Sequence, residues 1–284
     1  MTTAAPPAST TGPTAHTRRR ASSRSVRGGS ALSLGISVIW LSLLVLLPLT
    51  AVVAKAADYG WSSFWATITN DSVSAALRLT VLEAVGVTLV NVVMGTLIAW
   101  VLVRDDFPGK AIIELVIDVP FALPTIVAGL VLLSLYGPKS PLNLHFANTR
   151  VGIFIALLFV TVPFVVRTVQ PVLIELDHES EQAAASLGAS RFTTFRRIVL
   201  PNLIPAIAAG AALSFARAIS EYGSLVLMSG NLPFRTEVAS VKILSLMEND
   251  NPGGAAAVAT ILLLVSVVTL VLIDVFQRLA ARRA

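Results

Sequence analysis

Six apolar stretches constrain this chain more than any other feature. They cover about residues 31–54, 81–103, 111–136, 151–171, 202–228 and 254–276. Each is about twenty residues or longer, the length an α-helix needs to cross the ~30 Å hydrocarbon core of a bilayer. Helices are the expected form, because lipid offers no partners to backbone N–H and C=O groups. A β-barrel would show ~10-residue segments of alternating polarity, and these runs are longer and do not alternate. The composition agrees: 55% of the 284 residues are hydrophobic and 13% charged, where a soluble domain carries about 25% charged residues. The predicted fold class is therefore all-α, a polytopic membrane protein with six transmembrane helices. A soluble enzyme, a disordered chain and a nucleic-acid binder are excluded.

Residues 1–30 are mostly Thr, Ala, Ser, Pro and Arg and are predicted to form a disordered tail, with residues 31–284 as the membrane domain. A cleaved signal peptide ending near Ala54-Lys55-Ala56 is the alternative, but ~24 apolar residues exceed the usual 7–15-residue signal core. With the tail inside, thirteen Lys and Arg flank the spans on the inner side and six on the outer, while Arg167 and Arg217 fall within spans. That bias predicts both termini in the cytoplasm, and the membrane expected for the chain is the plasma (inner) membrane. On the outer side, Trp61, Phe64 and Trp65 suit the lipid interface or contact an external partner.

Several chemistries are absent. There is no cysteine, which removes disulfides, thiol catalysis and Cys-type metal sites. His16, His145 and His178 are far apart, so a His-rich metal site is not expected. No GxxxxGK[ST] phosphate loop is present, so the chain carries no nucleotide site of that kind. No Ser/His/Asp arrangement stands out. The chain itself is expected to be no enzyme and to hold no cofactor.

The segment between spans four and five, about 176–200, is the most informative. Glu175, Asp177, Glu179 and Glu181 stand at the front of a helix whose N-terminal dipole favours acids, with Asp177 or Ser180 as the cap. An alanine run sustains the helix, and Gly188 is placed to end it. A second short amphipathic piece is expected to carry Phe192, Phe195 and Ile198 on one side, with Arg191, Arg196 and Arg197 facing water or headgroups. Pro201 is expected in the first turn of the next span. Ala183 with Leu187, and Ala184 with Gly188, are i,i+4 pairs giving a small-residue face open to close approach.

The spacing Gln182-Ala183-Ala184, Gly188, Ile198-x-Leu200-Pro201 resembles the EAA signature of ABC importer permeases. Asp118-Val-Pro-Phe-Ala-Leu-Pro-Thr-Ile-Val-Ala-Gly129 and Ala218-Ile-Ser-Glu-Tyr-Gly223 are similar to segments of the sulfate/molybdate group. The stretches from Gly230 to Val238 and from Met247 to Asp250 resemble its CysT-type sulfate subunit. The resemblance covers about residues 31–276 and implies a MetI-like permease fold. It implies that Glu181, Gln182, Ala183, Ala184, Leu187, Gly188 and Phe195 couple to a cytoplasmic ATPase. Glutamate is usual where Gln182 stands, so either Glu181 or Gln182 is the residue that meets the ATPase. The implied partners are a second, related permease, a dimer of ATP-binding subunits carrying ATP and Mg, and an extracytoplasmic sulfate-binding protein. The implied activity is ATP-driven import of sulfate or thiosulfate. Molybdate or tungstate import is the alternative, and an ion-coupled secondary transporter a more distant one.

Charges within spans are costly and point to function by default. Arg217 and Glu221 are one turn apart on one helix face, ~24 Å beyond Pro201 at ~1.5 Å per residue. They form either a clamp between helices or a path in which Arg217 attracts a dianion and Glu221 holds it. Pro120 and Pro124 are expected to kink span three, and Pro163 span four, as static bends or as parts of a translocation path. Arg167 and Glu83 are close enough to span ends to snorkel. Glu114 and Asp118 are expected to pair with a cytoplasmic cation or with backbone donors.

Overall fold

The structure, a computed structural model, describes residues 27–176 and 178–281. All regular secondary structure among them is helical. Two compact units divide the chain after Pro48. The first holds α1 (Arg27–Leu41), a π-helical turn (Ser42–Leu46) and the opening of α2 (Leu47–Asp58). Ser33–Asp58 is long and apolar enough to cross a membrane, and Leu34, Ile39, Trp40 and Leu44 are exposed. A helix apolar on all sides suits a lipid surround. Residues 1–26 of the expected tail lie outside the described residues.

In the second unit, Trp61 and Trp65 of α3 (Trp61–Ile68) meet edge to face at 5.5 Å. Next comes α4 (Asp71–Arg104), capped by Asn70, whose side chain accepts from the Ser72 N–H at 3.0 Å. At ~1.5 Å per residue its 34 residues exceed the bilayer core. Then follow α5 (Lys110–Ala122), α6 (Thr125–Tyr136), α7 (Arg150–Glu175), α8 (His178–Ser186) and α9 (Arg191–Thr194). A π-helical turn (Phe195–Val199) leads into α10 (Leu200–Ile219), and α11 (Gly223–Met228), α12 (Ala239–Glu248) and α13 (Pro252–Ala281) complete the unit.

The core is built on α4, α7 and α10. Val87, Ile153, Leu157 and Phe215 fill one part of it, and Leu102, Val169 and Leu203 another. Without a hydrophobic drive in lipid, helices associate through close packing and polar contacts. Both are present. Gly95 of α4 and Gly210 of α10 press on Val165 of α7, where an added Cβ would stand 2.8 Å from the Val165 Cβ and 2.9 Å from its Cα, respectively. The buried Asn91 of α4 donates through Nδ2 to Thr161 Oγ1 of α7 at 2.7 Å and to Ser214 Oγ of α10 at 3.0 Å. One side chain thus joins all three helices.

Two expected spans differ in form. The third is no single kinked helix: α5 and α6 meet at an angle of 116°. The break falls at Leu123 and Pro124. Leu123 is extended (φ −87°, ψ 133°), as the residue before proline prefers, and Pro124 has no N–H to continue the ladder. Pro120 stays inside the last turn of α5, and α7 runs unbroken through Pro163 and Pro171. The expected fifth span, 202–228, ends instead at Ile219, and α11 is a separate turn and a half. At its other end the helical run starts at Arg191, ahead of Pro201. The π-helical turn just before Pro201, closed by Leu200 N–H to Phe195 O, shifts the register where the proline ring would otherwise meet a backward carbonyl.

Candidate functional site

The α8–α9 hairpin turns on Gly188. Its φ of +81° is left-handed, a region glycine enters without a Cβ penalty. The Ala189 N–H donates to Ala184 O at 3.0 Å and the Gly188 N–H to Ala185 O at 2.9 Å, the paired bonds that close a helix on a glycine. Ser190 then caps α9, accepting from the Thr193 N–H at 3.2 Å. Asp177, one of the expected caps of α8, lies outside the described residues.

Helical spacing sorts the hairpin into two faces. Gln182, Ala183, Leu187 and Gly188 are exposed, with Leu187 at 89%, and Phe192 is exposed at 71%. Ala184 is half-buried. Glu181 turns inward and ion-pairs with Arg104, the last residue of α4. Phe195 also turns inward, edge-on to Trp100 at 5.5 Å. Phe192 and Phe195 therefore do not share one apolar side. Arg191, Arg196 and Arg197 are exposed.

A second cluster stands where α10 breaks. Arg217 Nη2 lies 2.7 Å from Glu221 Oε2, with the Arg217 side chain 30% exposed and that of Glu221 fully buried. Glu221 Oε1 accepts from the Ser224 N–H at 2.9 Å and from its hydroxyl at 3.0 Å, and the Ser240 hydroxyl donates to the Glu221 carbonyl at 2.7 Å. The carboxylate thus caps the start of α11 and neutralises an arginine in the last turn of α10. This break abuts the other one. A Cβ at Gly223 would stand 2.8 Å from the Ile126 backbone nitrogen, and one at Gly129 would stand 2.8 Å from the Ser224 Cα. Pro124 caps α6 at this junction, while Pro120 lies further back, half-buried in α5.

Sequence reasoning missed the partner of Asp118. Arg167 neither snorkels to an end nor stands alone: its Nε donates to Asp118 Oδ1 at 2.7 Å and its Nη2 to Asp118 Oδ2 at 2.5 Å. Nη1 reaches Gln170 Oε1 at 2.6 Å and Nη2 the Glu114 carbonyl at 3.1 Å. The rule that intramembrane charges pair with one another was the available signal.

The bundle, with its two broken segments and projecting hairpin, has the fold of ABC-transporter permeases. A bacterial ABC transporter that imports the acidic polysaccharide alginate superposes with a TM-score of 0.72 at 16% identity, over 88% of this chain and 94% of that one. The chain belongs to the family of binding-protein-dependent transport system inner membrane components, whose sequence profile matches residues 91–284. It is 43% identical over 270 residues to the sulfate transport system permease protein CysT of Escherichia coli (strain K12), covering 92% of this chain and 97% of the relative. It is also 43% identical over 256 residues to CysT of Synechocystis sp., covering 88% and 90%.

Proposed function

We propose that this chain is one permease subunit of an ATP-driven importer that carries sulfate and thiosulfate into the cytoplasm. The hairpin carries the coupling half of this proposal: α8 and the turn after it present Gln182, Ala183, Leu187 and Gly188 outward, with the bare side chain of Phe192 beside them. Large apolar groups held in the open on a rigid turn suit a protein partner. That partner is a dimer of ATP-binding subunits, which supplies ATP and Mg; no cofactor is assigned to this chain. Sulfate is the substrate favoured by the identity to CysT along 92% of the chain.

The anion passes close to the junction of the two breaks. Arg217 is part-exposed there, and Glu221 is tied down by Ser224, so the carboxylate is held away from a passing dianion while the guanidinium keeps an open edge. Pro124 keeps α6 separate from α5 at the same level, and Pro120 shapes the approach. A second, related permease completes the path, an extracytoplasmic sulfate-binding protein delivers the anion, and lipid surrounds the bundle. Both termini lie in the cytoplasm, as the Lys and Arg bias suggests.

The test is ATP hydrolysis by the assembled complex, stimulated in turn by binding proteins loaded with sulfate, thiosulfate, molybdate or tungstate. Stimulation by the sulfate- and thiosulfate-loaded proteins is expected. Stimulation by molybdate or tungstate alone would reassign the substrate, and none with any oxyanion would remove the proposal.

A further inference from the structure

The hairpin's inner face holds a four-residue chain that the outward docking face does not need. Glu181 of α8 pairs with Arg104 at the end of α4, both side chains largely removed from solvent at 23% and 11% exposure. The Arg104 guanidinium lies over the Trp100 ring, 5.3 Å from its centroid. Trp100 in turn receives Phe195, edge-on at 5.5 Å. The end of α4 is therefore held by one residue from each limb of the hairpin: Glu181 from α8 and Phe195 from the turn before α10. Between the limbs a groove of about 280 Å³ is lined by Ala185, Ala189 and Thr194 as well as by members of the chain, so the small side chains alone do not fill it.

From these contacts we infer that Arg104 is a positioning residue, tying the ATPase-docking hairpin to α4 so that movement of the hairpin moves the bundle. Glu181 is its partner within the chain, and Gln182, exposed on the next helical position, is the residue left to meet the ATPase. The physical route is continuous. A displacement of α8 pulls on Arg104 through a charge-assisted bond, which is shorter and stronger than a neutral one. The stacked Trp100 stiffens the arginine. Further along α4, Asn91 is bonded to Thr161 of α7 and Ser214 of α10. Ser214 lies one turn before Arg217, so the same helix that receives the pull carries the Arg217–Glu221 pair at its far end.

Arg104 plays this part only if the hairpin docks an ATPase as proposed above. The experiment keeps the two failures apart by measuring two quantities on the full complex in proteoliposomes: ATPase affinity, and ATP hydrolysed per radiolabelled sulfate imported. Glu181→Gln and Arg104→Gln should each leave affinity within about threefold of wild type, the range of a single partly exposed ion pair. Each should raise ATP used per sulfate by about fivefold or more, the low end of a coupling free energy between sites. The double variant should be no worse than either single one, because one link is cut once. Gln182→Ala should do the opposite, weakening affinity with little change in the ratio. The inference is overturned if Glu181→Gln weakens ATPase binding as Gln182→Ala does, if the ratio is unchanged, or if the two single effects add. Where Glu181→Gln does not reach the membrane, Glu181→Asp, which keeps the charge but shortens the reach, must raise the ratio. A wild-type complex that binds no ATPase would instead remove the docking role itself.

Discussion

Arg167 of α7 and Asp118 of α5, 49 residues apart in sequence, are joined through both carboxylate oxygens, at 2.7 and 2.5 Å. The pair fastens the break-bearing α5 to the unbroken α7. Arg167→Lys keeps the charge but cannot reach Asp118, Gln170 and the Glu114 carbonyl together. It should destabilise the purified protein by about 1–3 kcal/mol, the scale of lost charged hydrogen bonds. Asp118→Ala, which strands the arginine, should cost more than Asp118→Asn combined with Arg167→Gln. Thermal unfolding in detergent measures both. An Arg167→Lys protein that unfolds at the wild-type temperature would show that the second arm of the pair contributes nothing.

The close approach of α6 and α11 makes a separate prediction. A Cβ at Gly129 would meet Ser224 backbone, 2.8 Å from Cα and 2.9 Å from the carbonyl oxygen, whereas one at Gly35 meets nothing within 4 Å. Backbone cannot rotate aside as a side chain can. Gly129→Ala should therefore destabilise by about 1–3 kcal/mol, as overpacking does. Gly35→Ala should be neutral or slightly favourable, since alanine is the better helix former. Equal unfolding temperatures for the two variants would contradict the packing at this junction.

At Gly188 the constraint is conformational. Nothing lies within 4 Å of an added Cβ there, yet φ is +81°. A β-branched residue should cost about 1–2 kcal/mol in the left-handed region, which asparagine enters more readily. Titration of the ATPase onto solubilised permease should show Gly188→Asn binding nearly as wild type and Gly188→Val binding more weakly. Identical binding by the two would mean that the turn does not set the docking face.

Much of this architecture was legible in sequence, because hydropathy reports which segments are apolar and about how long they are. It does not report where an apolar segment breaks. Span three carried two prolines with similar claims, and only the extended Leu123 before Pro124 decides between them. Span five looked continuous because Tyr222 and Gly223 follow Glu221 without any polar run, and the break depends on Glu221 capping α11 through Ser224. The partner of Asp118 is a tertiary fact. So is the phase of α8, where Glu181 and Gln182 are neighbours and only the position of Arg104 turns the first inward. The Arg217–Glu221 contact was readable from the four-residue spacing, although α10 ends at Ile219 and Glu221 stands just past it.

For that pair, Glu221→Ala leaves Arg217 and the Ser224 donors without their acceptor, and should be lost from the membrane or destabilised by about 3–5 kcal/mol. Arg217→Lys should assemble and keep partial transport if positive charge is what the path needs. Arg217→Gln with Glu221→Gln removes both charges while keeping an acceptor for Ser224. That double variant should assemble but import sulfate about tenfold more slowly, equivalent to ~1.4 kcal/mol on the barrier. Import at the wild-type rate would rule Arg217 out of the path.

The most direct measurement is uptake of radiolabelled sulfate into proteoliposomes holding the complete complex, with ATP enclosed on the hairpin side and loaded binding protein on the other. Wild type should accumulate sulfate only when ATP is present. Gly188→Trp, inserted in equal amount, should accumulate almost none, because the bulky ring keeps the ATPase off the hairpin. Accumulation without ATP, driven by an ion gradient, or normal accumulation by Gly188→Trp, would contradict an ATP-driven permease coupled through this hairpin.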